Sequence, residues 1–464
     1  MSVTRSDISY VKPATVTDTT ANGGRAGYTT ITNRQKHNLF PRVTRPERID
    51  GKTRYRKFFL WNKNSSGETA ASVLSYLIFP SPAGDRFYIA AGTQSDTQND
   101  LDSSYNWAGG GSLNSAITAG AQQISILFEN NDFYIDNGQV IVINSHFLTS
   151  QTMDSDVKAF DSVYYNGSRW IKQTPSDTED EDMYPYGTYL GSNKVFSYNT
   201  NGNLEYLTSQ NNSHSAEVLG AGTGSQTSFT GTVSHTPVKQ STVVIKYSIG
   251  SVQYQATTNS SGTISGTSIS SGTISNAGVY SITFSTAPDN STNVTADYTE
   301  QSWSWSGNVL TVKTVEQVAN SYSTSGTYSA VGLSLGDIKT SADNKSISGS
   351  GTFDLTKLTL DNEGTIEDTW TFTFTSATAF TCSGTYAGSV GTGSINSTFT
   401  PNNGNVAKKY FSVPTNAWGG TWATNDTMQF KTHPSKSALW LKEIVPAGTS
   451  AYSENGVCME LYVE

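Results

Sequence analysis

Charged residues and cysteine are both scarce in this chain. Asp, Glu, Lys and Arg make up 14% of its residues, well below the roughly 25% that is usual for soluble domains. The two cysteines, Cys382 and Cys458, lie far apart and match no metal-ligand spacing. We expect free, buried thiols, with a disulfide as the alternative. This scarcity excludes a disulfide scaffold and a cysteine-based zinc site.

Long apolar runs are also missing, and none approaches the ~18 residues of a membrane-spanning helix. The longest runs, "SVLSYLIFP" at 72–80 and "GQVIVIN" at 138–144, have the length of strands. The first residues, "MSVTRSDISYVKP", contain no apolar segment of the kind found in secretory signals. We therefore expect neither a membrane protein nor a secreted precursor.

What the chain has in quantity is Gly, Ser, Thr and Asn, together with 11% aromatic residues. A disordered chain would lack the aromatics. Thr, Val, Tyr and Phe suit a pleated, half-buried surface, and Gly, Asn and Ser suit the turns between strands. Because 464 residues exceed one ordinary core, the predicted fold class is mainly β, with several sandwich-like or barrel-like domains and an extended N-terminal arm.

Changes in polarity, charge and strand pattern along the chain predict four regions. Residues 1–50 are polar and without sustained periodicity, which predicts an extended, basic arm that cannot bury itself. Short strand candidates between turn residues predict a first β domain at 51–214. Only seven charged residues occur at 201–300, and a β-sandwich module is predicted at 215–300. Residues 301–464 are expected to form a C-terminal β domain, with the option that it is continuous in space with the first.

Alternation of apolar and polar residues assigns buried faces within these regions. Three sets of residues are each expected on one strand face: Tyr280, Ile282 and Phe284; Val294, Ala296 and Tyr298; and Trp370, Phe372 and Phe374. A short helix is predicted near "VEQVANS" at 315–321.

Signatures of catalysis are thin. A formal GxSxG occurs as "GLSLG" at 332–336, but no helix pattern follows it, so Ser334 is not predicted to be a nucleophile. The histidines are at least 21 residues apart, which rules out a local pair of zinc ligands. Each is expected at the surface or hydrogen-bonded: His37, His146, His214, His235 and His433. No nucleotide-binding loop occurs.

Carboxylates offer two weaker alternatives. The acidic run "DTEDED" from Asp177 to Asp182 could bind Ca²⁺, but it lacks the glycine and glutamate of an EF-hand loop, and a solvated loop is the simpler expectation. A glycosidase would need two carboxylates about 5 to 10 Å apart, and sequence spacing places no such pair. We therefore predict no catalytic residue, no cofactor and no metal, and a protein that is not an enzyme.

The one concentrated signal is basic. Nine of the 29 Lys and Arg residues lie between Arg34 and Lys57, beside only Glu47 and Asp50, so this stretch carries +7 and the remainder −16 within a net charge of −9. Nucleic acid is one partner for such a stretch, but the acidic remainder would repel a polyanion. The preferred hypothesis is docking onto the acidic surface of a neighbouring copy, and a solvated surface without a partner is the third option. The candidate interface residues are Arg34, Lys36, Arg42, Arg45, Arg48, Arg54, Arg56 and Lys57.

Three segments carry a family resemblance. "TNRQKHNLFPRVTRPERIDGKTRYRKFFLWN" with "SPAGDRFYIAAGTQSDTQND", and the C-terminal "YFSVPTNAWGGTWATNDTMQFKTHPSKSALWLKEIVPAGT", resemble virion structural proteins encoded in the morphogenesis regions of tailed bacteriophages. The segment from "EVLGAGTGSQTSFTGTVSHTPVKQSTVVIKY" to "GTISNAGVYSITFSTAPDNSTNVTADY" is similar to a β-sandwich module inserted into phage tail and baseplate proteins. The resemblance covers about half of the chain and includes no catalytic motif.

The resemblance implies a structural subunit of a tailed-phage virion, in the sheath, baseplate or neck region, assembled in the host cytoplasm. The expected partners are copies of the chain itself in a homo-oligomer and other virion proteins, with neither membrane nor nucleic acid. Identical subunits joined by heterologous contacts form rings or helical tubes. The alternative is a receptor-binding or carbohydrate-binding tail fibre, in which exposed Trp and Tyr would serve as sugar platforms.

Overall fold

The computed structural model describes residues 3–32, 37–81, 83–129, 135–149, 152–158, 161–166, 168–173, 186–191, 194–197, 202–451 and 456–463. Antiparallel strands dominate these residues, and the mainly β fold class is confirmed. The helical elements in this part of the chain are one short α-helix, α1 (Arg45–Asp50), and 3-10 turns at Arg5–Asp7, Gln98–Asp100, Gln240–Thr242, Leu355–Lys357 and Thr415–Ala417.

The strands are numbered in chain order. The first run comprises β1 (Ile8–Thr15), β2 (Gly23–Thr30), β3 (Lys52–Asn62), β4 (Ala70–Leu77), β5 (Arg86–Ala91), β6 (Gly110–Leu113), β7 (Gln123–Leu127) and β8 (Val140–Asn144). The second comprises β9 (Phe147–Thr149), β10 (Ser162–Tyr165), β11 (Trp170–Lys172), β12 (Tyr186–Gly191), β13 (Lys194–Ser197) and β14 (Leu204–Thr208). The third comprises β15 (Ser213–Ala221), β16 (Ser228–Thr232), β17 (Val244–Ile249), β18 (Val252–Thr258), β19 (Ile264–Gly266), β20 (Ile269–Ile274), β21 (Val279–Phe284) and β22 (Asn293–Thr299).

The remaining strands follow in three runs. They begin with β23 (Trp303–Ser306), β24 (Val309–Lys313), β25 (Tyr328–Val331) and β26 (Leu333–Ile338). Next come β27 (Ser341–Ser348), β28 (Ser350–Phe353), β29 (Thr359–Leu360), β30 (Asp368–Phe374), β31 (Ala379–Gly384), β32 (Gly388–Ser394), β33 (Asn402–Asn403), β34 (Lys408–Lys409), β35 (Phe411–Ser412), β36 (Trp418–Thr421) and β37 (Thr427–His433). The last are β38 (Lys436–Val445) and β39 (Met459–Tyr462).

The largest unit, which we call the body, is built from segments distant in sequence. Its three sheets have the orders β2-β1-β3-β38-β5, β14-β8-β25-β6-β7-β24-β23 and β26-β4-β39. A small separate sheet, β11-β10-β12-β13-β9, has its own core of Val163, Trp170 and Val195. Strands from residues 303–338 and 436–462 therefore complete sheets begun by residues 8–144, which agrees with a first and C-terminal domain that are continuous in space.

The pair β3 and β38 forms the centre of the first body sheet. Its antiparallel register runs from Lys52↔Val445 to Trp61↔Lys436. Phe58 and Leu60 on β3 belong to the main body core, whereas Phe59 and Trp61 on the opposite face pack into a second, smaller core. Because both faces of this sheet are covered, "KFFLWN" reads as a continuous buried run rather than as an alternating one.

The predicted independent arm at residues 1–50 needs correcting. Strand β1 pairs with β3 from Ile8↔Asn62 to Val11↔Phe59, and β2 pairs with β1. Val11 is fully buried. The β1–β2 ladder contains register shifts around Pro13, which break the alternation that would have marked a strand. The segment is extended, but its burial depends on β3, a partner that its own composition does not reveal.

The segment predicted as a β-sandwich module at 215–300 corresponds to a two-sheet unit at residues 213–299, which we call the module. Its two sheets have the orders β15-β22-β17-β18-β19 and β16-β21-β20, and its first and last strands lie side by side with Ser213 opposite Thr299. The core of the module contains residues of the module alone. Both predicted faces are buried: Tyr280, Ile282, Phe284, Val294, Ala296 and Tyr298.

Residues 341–433 form a further unit, which we call the aromatic domain, so the expected single C-terminal domain at 301–464 is divided. Its main sheet has the order β27-β37-β30-β31-β32. The predicted face of Trp370, Phe372 and Phe374 is buried in its core. The rings of Phe374 and Trp422 stack with centroids 4.2 Å apart, and a Cβ at Gly351 would meet the Trp422 ring at 2.1 Å. This core is dense enough in aromatics to close without the body.

The helix expected at 315–321 is absent, since these residues form an irregular loop. Val318 is buried, and its backbone bonds with Gly120 and Ala121 hold the loop against the body. The backbone N–H groups of Ala319 and Asn320 donate to the Glu205 carboxylate at 2.8 and 2.9 Å. The Glu205 carboxylate, distant in sequence, thus accepts hydrogen bonds from two backbone N–H groups that would have no partner in the first turn of a helix.

We expect the module to fold when it is excised. In the excised module, Phe284→Ala should lower the free energy of unfolding by about 3 to 5 kcal/mol, because a buried aromatic side chain is lost and the cavity closes only partly. Phe284 packs against Phe229 and Tyr247 with ring centroids at 5.6 and 4.8 Å. Ser281→Ala on the opposite, exposed face is the control and should change stability by under ~0.5 kcal/mol. Urea unfolding of the excised module measures both, and equal effects would contradict the face assignment.

Candidate interface site

The basic stretch divides into a buried part and an exposed part. Arg54, Arg56 and Lys57 lie on β3 and are 7%, 4% and 0% exposed. Each faces a carboxylate of the same chain: Arg54 pairs with Glu443, Arg56 with Asp18, and Lys57 with Asp96. The prediction that these three residues dock a neighbouring subunit is therefore wrong, since their charges are already satisfied inside the fold.

Lys57 is held most completely. Its Nζ lies 2.5 Å from Asp96 Oδ1 and donates to the carbonyl oxygens of Gly24 and Asp96 at 2.7 and 2.9 Å. The other carboxylate oxygen of Asp96 accepts from Trp440 Nε1 at 2.7 Å and from the Tyr105 hydroxyl. Burial opposes the charge on Asp96, but the hydrogen bonds from Lys57, Tyr105 and Trp440 keep its pKa below the usual range. Burial also lowers the pKa of Lys57, against the hydrogen bond and the charge of Asp96. These contacts tie β3, β38 and the 93–105 loop together.

Arg54 and Arg56 attach the preceding segment to the sheet. The Nε and Nη2 of Arg54 bind Glu443 Oε2 at 2.8 and 2.5 Å, while its Nη1 donates to the Pro41 carbonyl at 2.9 Å. Arg56 Nε donates to the Leu39 carbonyl at 3.1 Å. The Phe40 ring lies 5.2 and 5.5 Å from the two guanidinium carbons. Residues 39–41 are thus fixed by cations that the sequence had assigned to an interface.

Helix α1 continues from this anchored segment and is fixed at both ends. Thr44 and Glu47 form a capping box, which lowers the pKa of Glu47 although burial opposes the shift. At the other end, the Arg48 carbonyl accepts from the backbone N–H groups of Gly448 and Thr449 at 2.8 and 3.2 Å. Gly51 follows with a positive φ of 79°. The helix is short, but its orientation is set by the body.

The exposed part of the stretch lies on and beside α1. Arg42, Arg45 and Lys52 are exposed and Arg48 is half-buried, and Ile49 is 57% exposed. Residues three and four apart share a helix face, so Arg45, Arg48 and Ile49 are neighbours. We call Arg42, Arg45, Arg48, Ile49 and Lys52 the basic patch. The remaining two predicted interface residues, Arg34 and Lys36, lie outside the described residues.

The chemistry of the basic patch suits a protein partner. Guanidinium groups bind carboxylates in planar, two-point contacts, and an exposed isoleucine gains free energy when a partner covers it. A phosphate backbone would use the cations but not Ile49. The basic patch therefore combines donors that suit carboxylates with one exposed apolar side chain.

The other residues weighed in the sequence do not assemble into a catalytic site. Ser334 lies within strand β26 opposite Leu74, so the strand-to-helix turn of a nucleophile elbow is not formed. Cys382 and Cys458 are not joined in a disulfide; Cys382 is buried, as expected, whereas Cys458 is only half-buried. Within the described residues, no three His, Cys, Asp or Glu side chains are placed to hold a metal ion. The acidic run Asp177–Asp182 lies outside those residues.

Sequence reasoning missed a contact between two histidines. His214 and His235 stack with ring centroids 3.7 Å apart and planes within 9° of parallel. They are 21 residues apart in the chain, at the start of β15 and in the loop after β16. Neither position carries a local signal, because the contact is made by the fold of the module.

Comparisons with known proteins do not add an identity. The chain matches no protein family model, no curated protein and no solved structure. Across the part of the chain that the structure describes, no helix is both long enough and apolar enough to cross a membrane.

We expect Lys57→Met to destabilise the body by about 3 to 5 kcal/mol, because it leaves the Asp96 carboxylate buried without its cation. Arg45→Met in the basic patch should change stability by no more than ~0.5 kcal/mol, because Arg45 is exposed. Denaturant unfolding followed by tryptophan fluorescence measures both. An unchanged denaturation midpoint for Lys57→Met would contradict the assignment of Lys57 to a buried ion pair.

Lys436 supplies a pH-dependent prediction. Its Nζ is stacked 3.8 Å from the Trp61 ring centroid and 4.8 Å from that of Tyr28, and burial lowers its pKa to about 7. An unfolded lysine titrates near pH 10.4. Between these values the unfolded chain binds more protons, so stability rises as the pH increases from about 7 towards 10.

We therefore expect wild-type stability to increase relative to Lys436→Met between pH 7 and pH 9.5. The cation–π contacts favour the ammonium form and limit the size of this increase. Urea unfolding of both proteins at the two pH values is the measurement. Parallel pH dependences in the two proteins would show that Lys436 stays charged throughout.

Proposed function

We propose that the chain is a structural, non-enzymatic subunit of a tailed-phage virion that assembles with copies of itself through the basic patch. The single observation that carries the proposal is the basic patch itself, in which exposed Ile49 lies beside exposed Arg45 and half-buried Arg48. The helix that carries them is capped by Thr44 and Glu47 and is bonded to Gly448 and Thr449 of the body. A helix fixed in this way loses little conformational freedom on binding.

The charge distribution favours a second copy as the partner. Arg54, Arg56 and Lys57 pair with carboxylates of their own chain, so within the described residues 42–57 the cations open to a partner are those of the basic patch. The chain as a whole carries −9, so other faces of an identical subunit are acidic on balance. A basic patch that meets a different, acidic face makes a heterologous contact, and repeated heterologous contacts close into rings or continue as tubes.

The separation of the chain into units with their own cores supports the same proposal. The body carries the basic patch, while the module and the aromatic domain each close their own core. The resemblance of residues 32–62, 81–100 and 410–449 to tailed-phage virion proteins, and of residues 217–298 to a module inserted into phage tail and baseplate proteins, supports a subunit of the sheath, baseplate or neck. Its localisation would be the virion, after assembly in the host cytoplasm.

The test is a triple charge reversal, Arg42→Glu, Arg45→Glu and Arg48→Glu. We expect it to weaken self-association at least tenfold, because attraction at the interface becomes repulsion. The matched control reverses three exposed lysines elsewhere, Lys339, Lys357 and Lys409, which gives the same change in net charge. Sedimentation velocity across a protein concentration series measures association, and negative-stain images distinguish rings from tubes.

Two further measurements separate the electrostatic contribution to self-association from the apolar contribution of Ile49. Raising the salt concentration shortens the Debye length from about 8 Å at physiological ionic strength, and should weaken wild-type association while hardly affecting the charge-reversed variant. Ile49→Ser should weaken association without changing its salt dependence. Equal association of wild type and the charge-reversed variant would refute the proposed interface, and tight, salt-sensitive DNA binding by the patch would favour a nucleic-acid partner.

The carbohydrate-binding fibre remains the second candidate because of one feature of the aromatic domain. An open cleft of about 330 Å³ is lined by Lys345, Thr352, Phe353, Asp354, Asn416, Ala417, Trp418 and Gly419. Aromatic and polar side chains of this kind bind sugars. However, every tryptophan of the chain is buried or half-buried, so no exposed indole platform is available. Glycan-array binding that Asn416→Ala abolishes would favour this candidate.

A further inference from the structure

The chain passes between the body and the module near residues 212–214 and 299–302, and we call this junction the joint. Ionisable side chains at the joint contact one another in a row. His214 lies at the start of β15 and Glu300 follows β22, so both stand where the chain enters and leaves the module. His214 Nε2 is 3.4 Å from Glu300 Oε2, and Glu300 Oε1 is 2.7 Å from Nζ of Lys313 on body strand β24. The row therefore crosses from the module to the body.

The other half of the row lies within the module. His235 stacks on His214, and its Nδ1 is 3.4 Å from the Tyr298 hydroxyl. That hydroxyl donates to Glu217 Oε2, and the Glu217 Oε1 accepts from the backbone and side chain of Ser234. The charged groups packed around the two imidazoles are Glu217, Glu300 and Lys313, with the ion pair Lys239–Asp136 across the joint beyond them.

We propose that the stacked imidazoles of His214 and His235 form a proton-operated joint at which the module loosens from the body as the pH falls. Histidine is the side chain that ordinarily takes up a proton between pH 5 and 8. Two neutral imidazoles stack without penalty, and Glu300 favours a first proton on His214. A second proton places two parallel cations face to face at 3.7 Å, and this repulsion drives the rings apart.

Separation of the rings strains the contacts that close the joint. His235 belongs to the 233–238 loop, in which the Pro237 carbonyl accepts from the Gln301 N–H at 2.6 Å. Beside it, the Lys239 N–H donates to the Thr299 carbonyl at 3.0 Å, and the Glu300 N–H donates to the Asn212 carbonyl at 2.8 Å. These bonds join the loop and the two chain crossings, so movement of His235 opens the attachment while the module core stays closed. The inference does not depend on the proposed virion role.

His433 provides an internal control with the opposite sign. Its Nδ1 is 2.8 Å from Glu367 and its Nε2 is 3.2 Å from Asp343. A protonated ring donates to both carboxylates, whereas a neutral ring can donate to only one. Lower pH should therefore tighten the contact between β27, β37 and β30, in the same molecule in which it loosens the joint.

The first experiment follows the histidine ring protons of the full-length chain by NMR from pH 8 to pH 4.5. We expect the titration curve of each ring to show two steps, as those of coupled sites do. His214→Phe keeps an aromatic ring in the stack but removes one proton site, so His235 should then titrate in a single step. A single-step titration of both histidines in the wild type would overturn the proposal.

The second experiment measures hydrogen exchange at pH 7.5 and pH 5, corrected for intrinsic rates. The amides of Lys239, Glu300 and Gln301 should lose protection at least tenfold at pH 5, while the module core strands β17 and β18 keep theirs. His214→Phe should remove this response, and His433→Gln should leave it intact. Protection at the joint that does not change with pH would also overturn the proposal, and the wild-type measurement alone decides this if a variant does not fold.

Discussion

The antiparallel pairing of β3 with β38 is the interaction on which the rest of the body depends. This pair receives β1 and β2 on one side and β5 on the other, and it separates two cores that use alternate side chains of the same strands. Its buried cations bind Glu443 and Asp96 and also hold the backbone of residues 39–41. The orientation of α1 follows from these bonds, so the candidate interface is a consequence of the central pairing.

Composition and alternation identified the buried faces of strands whose partners are close in sequence, although they did not separate the contiguous aromatic domain from the body. The module is a single stretch whose apolar residues alternate and whose partners lie within the same stretch, so its boundaries and buried faces could be predicted. The Trp370, Phe372 and Phe374 face was predictable for the same reason. In each case the local period of two carries the information about burial.

The body could not be predicted in this way, because its partners are far apart in the chain. Nothing in the sequence around Asp96 or Glu443 marks either residue as the counter-ion of Lys57 or Arg54, so the sequence alone predicts a basic stretch that is exposed throughout. The same limit concealed the contact between His214 and His235. A cluster of cationic residues in the sequence shows that the cations are close together along the chain. Whether they are buried depends on strands that lie elsewhere in the sequence.

The order in which the chain leaves the ribosome gives the central pairing a further consequence. Strand β3 is synthesised early, and β38 follows only after the whole module and the whole aromatic domain. If those two units fold as they emerge, β3 waits for β38 with the Phe58 and Leu60 face of "KFFLWN" uncovered. Nascent chains that expose such a run bind chaperones or aggregate. Early folding of the two inserted units would shorten the effective loop that β3 and β38 have to close.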